Sequence, residues 1–148
     1  MVITRPILLL GTFFALAENP NMHDGAYAGL GNVNSGNMFN SPDGISFYSA
    51  GMLWIQADGK YSNEGDFAGM GNYQMLVGDT NTRKICRFLV GPRESEVKGI
   101  CWSADRRVAF VGIQHSGEKG DSHFPKGGNT FPRSAIITVT RKDGGLIG

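Results

Sequence analysis

The sequence predicts an all-β fold, a partial β-propeller of about two blades that is rich in glycine and has long loops. Glycine supplies 22 of the 148 residues, about twice its usual share. Past the first forty residues, short apolar stretches alternate with clusters of Gly, Pro, Asn and Asp, and none has the spacing of an amphipathic helix. A Gly-Ile-x-aromatic pattern begins at Gly44 and recurs at Gly99. Together these features favour a small repeated sheet structure.

Seven stretches have the length and composition of β-strands. Each is apolar and is bounded by residues that favour turns, which is the usual punctuation of β proteins. The polar connector 79–84 indicates a hairpin turn between two of them. The predicted strands are 44–48, 52–57, 73–78, 85–90, 97–102, 108–114 and 135–140.

In both repeats the Gly-Ile-x-aromatic strand leads through a polar turn into an apolar strand, an order typical of propeller blades. The loops that follow these second strands are expected on the same rim. Two units cannot close a propeller, because closure takes at least about four blades. The chain is therefore expected to be part of a larger domain or to self-associate through exposed blade edges. The predicted divisions are an extended N-terminal segment and linker, 1–40, and two propeller-like units, 41–95 and 96–148.

The net charge argues against nucleic-acid binding, and the cysteine spacing argues against a disulfide or a metal pair. A net charge of +1 and a pI near 7.8 supply no broad positive field, so nucleic-acid binding is not expected. Cys86 and Cys101 lie in apolar runs without CxxC spacing. That placement favours two buried thiols over a disulfide or a metal pair.

The N-terminus permits two interpretations. Arg5, the apolar run after it and the small-x-small sequence Ala-Leu-Ala at 15–17 have the outline of a signal peptide. Residues 13–17 would serve equally well as a buried strand, since a short apolar run cannot be assigned by periodicity alone. The run is too short for a transmembrane helix, so no membrane span is predicted.

Oxygen-bearing side chains concentrate where the two units begin and in their loops. Asp43 and Glu96 each enter the first strand of a unit, which in a propeller lines the central channel. Two carboxylates in one channel repel each other unless a cation or a proton is shared between them. Calcium prefers carboxylate and amide oxygens, so the pair is predicted to bind it, with solvated channel polarity as the alternative. Asp58, Asn72 and Gln74 are further candidates, each with a turn or cap role as its alternative.

Other side chains carry weaker signals. His115 is the only histidine beside a predicted strand end, and the sequence has no zinc-binding spacing and no GxSxG elbow. Arg133 could bind a phosphate as a planar donor, although a capping or salt-bridge role is favoured. Trp54 and Trp102 are expected to pack between blades.

A set of motifs occurs in a fixed order along the chain: NMFNSPDG at 37–44, LWIQADG at 53–59, GNYQM at 71–75, RFLVGP at 87–92, EVKG at 96–99, IQH at 113–115, PRS at 132–134 and RKDGGLIG at 141–148. In this order they resemble the PhoX family of secreted bacterial alkaline phosphatases, and the resemblance covers residues 12–148. It implies a propeller phosphatase that hydrolyses phosphate monoesters with iron and calcium in its central channel. It also implies export to the periplasm or the medium.

The resemblance implies roles for individual residues. Asp43 and Glu96 match the calcium-site carboxylates, Asp58, Asn72 and Gln74 are additional metal candidates, and Arg133 and His115 are the candidates for contact with substrate. The iron ligands and the phosphate-clamping arginine of the family precede the part that matches. The chain is therefore expected to be the C-terminal part of a phosphatase and to be inactive alone. The alternative is a non-catalytic β module that binds calcium or self-associates.

Two departures from the family pattern affect these expectations. Glu94-Ser95 stand where the family usually has Gly-Cys, and Lys98 stands where it has Thr, so the charge beside the metal site changes. Residues 13–17 occupy the place of a family strand, which favours a strand over a signal peptide there. The chain is then expected to carry no export signal of its own.

Overall fold

The computed structural model describes residues 11–17, 19–24, 30–48, 50–58 and 62–147. All seven predicted strands are present within this part of the chain, so the all-β class is confirmed. The predicted hairpin turn is also present after the third strand, where the backbone N–H of Arg83 donates to the carbonyl of Asp79 over 2.7 Å. A short 3-10 helix spans Gly65–Phe67. The strands are β1 (Pro42–Tyr48), β2 (Met52–Ala57), β3 (Gln74–Asp79), β4 (Ile85–Val90), β5 (Glu96–Trp102), β6 (Val108–Gln114) and β7 (Ala135–Thr140).

The strands form two antiparallel sheets. Sheet A has the order β1-β2-β3-β4, and sheet B has the order β5-β6-β7. Each strand therefore pairs only with its neighbours in the chain, and sheet A falls within 41–95 while sheet B falls within 96–148. Whether these sheets are propeller blades, and whether those ranges are separate units, stays a prediction.

The main hydrophobic core lies between the two sheets. Sheet A contributes Trp54 and Met75, which are 2% and 0% exposed, and sheet B contributes Val97 and Val111, both at 0%. Trp102 packs against this core with its ring 5.7 Å from that of Trp54, in an edge-to-face arrangement that aromatic rings favour. Both tryptophans thus pack between the two sheets.

A second core covers the opposite face of sheet A. It joins residues of β2, β3 and β4 to the segment that precedes β1, from which Val33, Met38 and Phe39 are buried. Asn37 ties this segment to the sheet, because its Nδ2 donates to the carbonyl of Ile85 over 2.8 Å. The central strands β2 and β3 of sheet A are consequently covered on both faces, whereas the edge strand β1 is not.

The outer surfaces of the two sheets leave several apolar side chains in solvent. Ile136 on β7 is 77% exposed, and Ile45 and Phe47 on β1 are 70% and 66% exposed. Both cysteines are free and exposed, so the prediction of buried thiols is wrong. Cys86 lies on β4 and Cys101 on β5, which are edge strands, and an apolar run in an edge strand does not ensure that each residue is covered.

The N-terminal part of the chain differs from the strand predicted at 13–17. Residues 11–17 contain no strand, and the carbonyl of Phe14 accepts hydrogen bonds from the side chains of Asn32 and Arg83 instead of from a neighbouring strand. Phe14, Ala15 and Ala17 still pack against the second core. The start of the signal-peptide alternative, 1–10, lies outside the described residues. Among the described residues, no helix is long and apolar enough to cross a membrane.

Candidate functional site

Three carboxylates from different strands converge at one end of the two sheets. Asp43 lies at the start of β1, Asp58 directly follows β2, and Glu96 is the first residue of β5. We call these three residues the acidic cluster. The ammonium group of Lys98 forms an ion pair with Asp43, and its Nζ lies 3.5 Å from Glu96 Oε2 and 3.8 Å from Asp58 Oδ2. One cationic atom therefore lies within ion-pair distance of all three.

The first strand of each sheet, β1 and β5, contains a β-bulge close to these charged residues. The register of β1 against β2 shifts between Pro42 and Gly44, so Asp43 is the extra residue of a β-bulge. The register of β5 against β6 shifts in the same way between Lys98 and Ile100. The extra residue there is Gly99, with φ at +62°, a conformation that glycine adopts readily. A β-bulge changes the direction of the side chains around it. The bulge in β1 is at Asp43, and the bulge in β5 directly follows Lys98.

The cluster is partly screened from solvent. The side chain of Glu96 is 24% exposed and that of Lys98 is 27% exposed, whereas Asp43 and Asp58 are more open, at 44% and 37%. Burial raises the pKa of Glu96 above its ordinary value, the negative charge of Asp58 raises it further, and His115 acts in the opposite direction. With three carboxylates around one ammonium, the cluster also holds more negative charge than Lys98 neutralises.

His115 lies beside Glu96 at a small cavity of about 30 Å³. The cavity is also lined by Tyr73, Glu94 and Glu118. Glu94 is held in place there, because its Oε2 accepts hydrogen bonds from the backbone N–H groups of Lys119 and Asp121. Of the two predicted substrate contacts, His115 is therefore the one that adjoins the acidic cluster.

The other predicted site residues have different surroundings. Gln74 is 2% exposed, and its amide is engaged by the carbonyl of Met38 and the guanidinium of Arg87. Asn72 donates to the carbonyl of Gly91 over 3.3 Å and lines a separate cavity with Arg93 and Asp121. Their roles as metal ligands stay predictions, and the hydrogen bonds of Gln74 already give its amide a structural role.

Arg133 belongs to a third location. It lines a cavity of about 250 Å³ together with Lys126, Thr130 and Phe131. Its backbone N–H donates to the carbonyl of Phe124 over 2.9 Å. Contact between its side chain and substrate stays a prediction.

Sequence reasoning missed the part that Gln56 plays beside the cluster. This side chain is 4% exposed, and its buried Nε2 has no hydrogen-bond partner among the described residues. It packs over Gly44, the residue after Asp43, where a Cβ would overlap its amide. The available signal was the pairing of a glycine with a glutamine in adjacent strands, which becomes informative only once the register is known.

The residues of the cluster fit a divalent cation in kind but not as they are arranged. Carboxylate oxygens from several strands are what calcium prefers. In the part of the chain that the structure describes, however, no three His, Cys, Asp or Glu side chains are grouped so that they could hold a metal ion. The carboxylates instead gather around the ammonium of Lys98.

The fold and this cluster define an all-β protein in which two packed antiparallel sheets bring charged side chains together at one end. The family described as Alkaline phosphatase PhoX matches residues 10–117. The chain therefore belongs to the PhoX alkaline phosphatase family. The match spans the acidic cluster and His115 and ends before Arg133.

A solved structure supports the same assignment. The chain is similar to Pseudomonas fluorescens PhoX in complex with vanadate, a transition state analogue, with 53% sequence identity and a TM-score of 0.86. The similarity covers 90% of this chain and 23% of that chain. The chain thus spans about a quarter of the length of that relative. No curated protein matches it.

Proposed function

We propose that this chain is the C-terminal part of a PhoX-type phosphatase and that it hydrolyses phosphate monoesters only when the rest of such an enzyme completes it. The observation that carries the proposal is the 53% identity to Pseudomonas fluorescens PhoX over 90% of this chain but only 23% of that one. An active site assembled from several parts of a sheet protein is incomplete when most of the chain is missing. We accordingly expect the isolated chain to be inactive.

The acidic cluster is the part of the proposed site that this chain supplies. Asp43 and Glu96 would hold calcium once the ammonium of Lys98 has moved away from them, and Asp58, which lies within ion-pair distance of the same ammonium, would be a third oxygen ligand. When bound, calcium supplies positive charge that holds a phosphate oxygen and stabilises charge that develops in the transition state. The family resemblance implies iron as well, with ligands outside this chain. Lesser roles are proposed for the remaining candidates, as metal ligands for Asn72 and Gln74 and as substrate contacts for Arg133 and His115. His115 is the best placed of them, because it lines a cavity together with Glu96.

Three features of the complete protein belong to the same proposal. The two sheets would be adjacent blades of a propeller that the missing part closes. The exposed Ile45 and Phe47 of β1 would then be covered, and in isolation this edge would favour self-association. The complete protein would act in the periplasm or outside the cell, as the resemblance implies.

Activity measurements on two proteins test the proposal. The isolated 148-residue chain, assayed with p-nitrophenyl phosphate plus calcium and iron, is expected to show no turnover above background. A chimera in which this chain replaces the matching quarter of Pseudomonas fluorescens PhoX is expected to be active. Robust turnover by the isolated chain, or a folded chimera without activity, would contradict the proposal.

Matched variants of the chimera test the role of the cluster. Glu96→Gln removes one cluster carboxylate, and we expect it to lower activity at least about tenfold at limiting calcium, with recovery as calcium is raised. Glu64→Gln makes the same chemical change at an exposed position beside the 3-10 helix and is expected to have no effect. Equal activity of the two variants at every calcium concentration would remove the cluster from the proposed site.

A further inference from the structure

We infer that Lys98 is a built-in counter-ion that occupies the acidic cluster and competes with calcium for it. This inference rests on the proposed function, since it concerns the regulation of the same site. It goes beyond that function, because it assigns to the Lys98 side chain the place that the calcium ion would take. Calcium would bind only by displacing the Lys98 ammonium.

The charges around the Lys98 ammonium do not balance. The Nζ atom of Lys98 makes an ion pair with Asp43 and lies 3.5 Å from Glu96 and 3.8 Å from Asp58. Three carboxylates around one ammonium leave excess negative charge. A divalent cation would neutralise more of this charge, but it needs the same carboxylate oxygens.

The charged side chains at this site come from both sheets. Asp43 and Asp58 belong to sheet A, whereas Glu96 and Lys98 belong to β5 of sheet B. Glu96 and Lys98 are two residues apart before the bulge, so they lie on the same side of the strand. The ammonium therefore bridges two sheets, as a metal ion shared between them would.

Lys98 lies where β5 closely approaches its neighbour β6. Gly99 follows it at a positive φ, and the paired Gly112 allows a close approach, since a Cβ there would lie 2.6 Å from the Lys98 carbonyl oxygen. The side chain of Lys98 is only 27% exposed. A charge tethered this close has an effective concentration in the millimolar range or above, so it is a strong competitor for a weakly bound ion.

Calorimetric titration of the full chain with calcium chloride tests the competition. The key variant, Lys98→Thr, removes the ammonium and opens space. We expect it to bind calcium at least about tenfold more tightly than the unmodified chain. Lys98→Arg keeps the positive charge and is expected to bind as weakly as the unmodified chain. Lys142→Thr removes a lysine beyond β7, outside the cluster, and is expected to change nothing.

Thermal unfolding supplies a second measurement that needs no enzyme activity. Without the Lys98 ammonium, the three carboxylates of the cluster repel one another. Lys98→Thr is therefore expected to melt at a lower temperature than the unmodified chain in the presence of a chelator. Calcium should restore the melting temperature of this variant and leave that of Lys98→Arg unchanged. Should Lys98→Thr fail to fold in either condition, Lys98→Gln, which retains more of the side chain, undergoes the same two measurements and decides the question.

The outcomes separate this inference from the function on which it rests. If the unmodified chain and Lys98→Thr bind calcium equally, and Glu96→Gln abolishes binding in both, the competition is wrong and the proposed calcium site stands. If the folded variant binds no calcium, the competition and the calcium ligands are both wrong. The phosphatase proposal is then decided separately by the activity of the chimera.

Discussion

The two Gly-Ile-x-aromatic repeats begin strands of the same kind but have opposite surroundings. In the first repeat, Ile45 and Phe47 are 70% and 66% exposed on the edge strand β1. In the second repeat, Ile100 and Trp102 pack against the core between the sheets. The shared pattern thus predicts a strand with a turn after it, whereas burial depends on which sheet covers that strand.

The repeats differ in charge as well. Asp43 stands directly before Gly44 in the first repeat, and Lys98 stands directly before Gly99 in the second. These two residues form an ion pair with each other. Equivalent positions of the repeats therefore supply opposite charges to one site, and the difference between the repeats is what connects the sheets there.

The largest expected effect comes from the two aromatic residues at equivalent positions. Trp102→Ala should lower the free energy of unfolding by roughly 3 kcal/mol, because it opens a cavity beside Trp54 and Tyr48. Phe47→Ala should lower it by less than about 0.5 kcal/mol, since the ring is mostly in solvent. Urea unfolding of both variants measures the contrast, and equal losses would mean that the two repeats are packed alike.

Replacing either glycine that begins a repeat should destabilise the protein, but for different reasons. Gly44→Ala is expected to cost about 1 to 3 kcal/mol, because its methyl group would overlap the buried amide of Gln56. Gly99→Ala is expected to cost about 1 kcal/mol through its positive φ alone, since no atom lies near its would-be Cβ.

A double-mutant cycle distinguishes these causes. Adding Gln56→Ala should relieve part of the loss in Gly44→Ala and leave the loss in Gly99→Ala unchanged. Strict additivity in both pairs would show that Gln56 is not the obstacle at Gly44.

Removal of Asn37 tests the second core, which covers β2 and β3 of sheet A on the face away from sheet B. Its Nδ2 donates to the carbonyls of Ile85 and Asn32 at 2.8 and 3.0 Å, and its Oδ1 accepts from the N–H of Asn34. Asn37→Ala should cost about 1 to 2 kcal/mol, because these buried groups lose their partner. Hydrogen exchange should quicken in β4 and not in β7, and uniform quickening would contradict a local role.

The smallest expected effect is a dependence of stability on pH that originates in the acidic cluster. Because the folded-state pKa of Glu96 lies above its ordinary value of 4.5, the folded protein binds more protons than the unfolded chain just above that pH. The contribution of Glu96 to stability therefore falls as pH rises through this window. Relative to the unmodified chain, Glu96→Gln should gain melting temperature as pH rises above 4.5. Glu64→Gln serves as the control, and parallel curves for all three proteins would contradict the shift.

The strand pattern was available from the sequence because it depends on neighbouring residues. Alternation of apolar runs with turn residues placed all seven strands within one or two residues of their observed ends. The same local reasoning found the hairpin turn after β3 and the charged residues at the strand starts. It failed for the cysteines and for residues 13–17, where burial and pairing depend on segments distant in the chain.

Sequence alone thus determined that this protein is built from short antiparallel strands in two related repeats, since strand formation is a local property. Only the tertiary structure decided that Lys98 lies among Asp43, Asp58 and Glu96, that Gln74 is bound within a core, and that Arg133 lies at a separate cavity. The physical reason is that a site formed by two sheets depends on their register, their bulges and the way they pack. Those features arise from contacts between residues that are far apart in the chain.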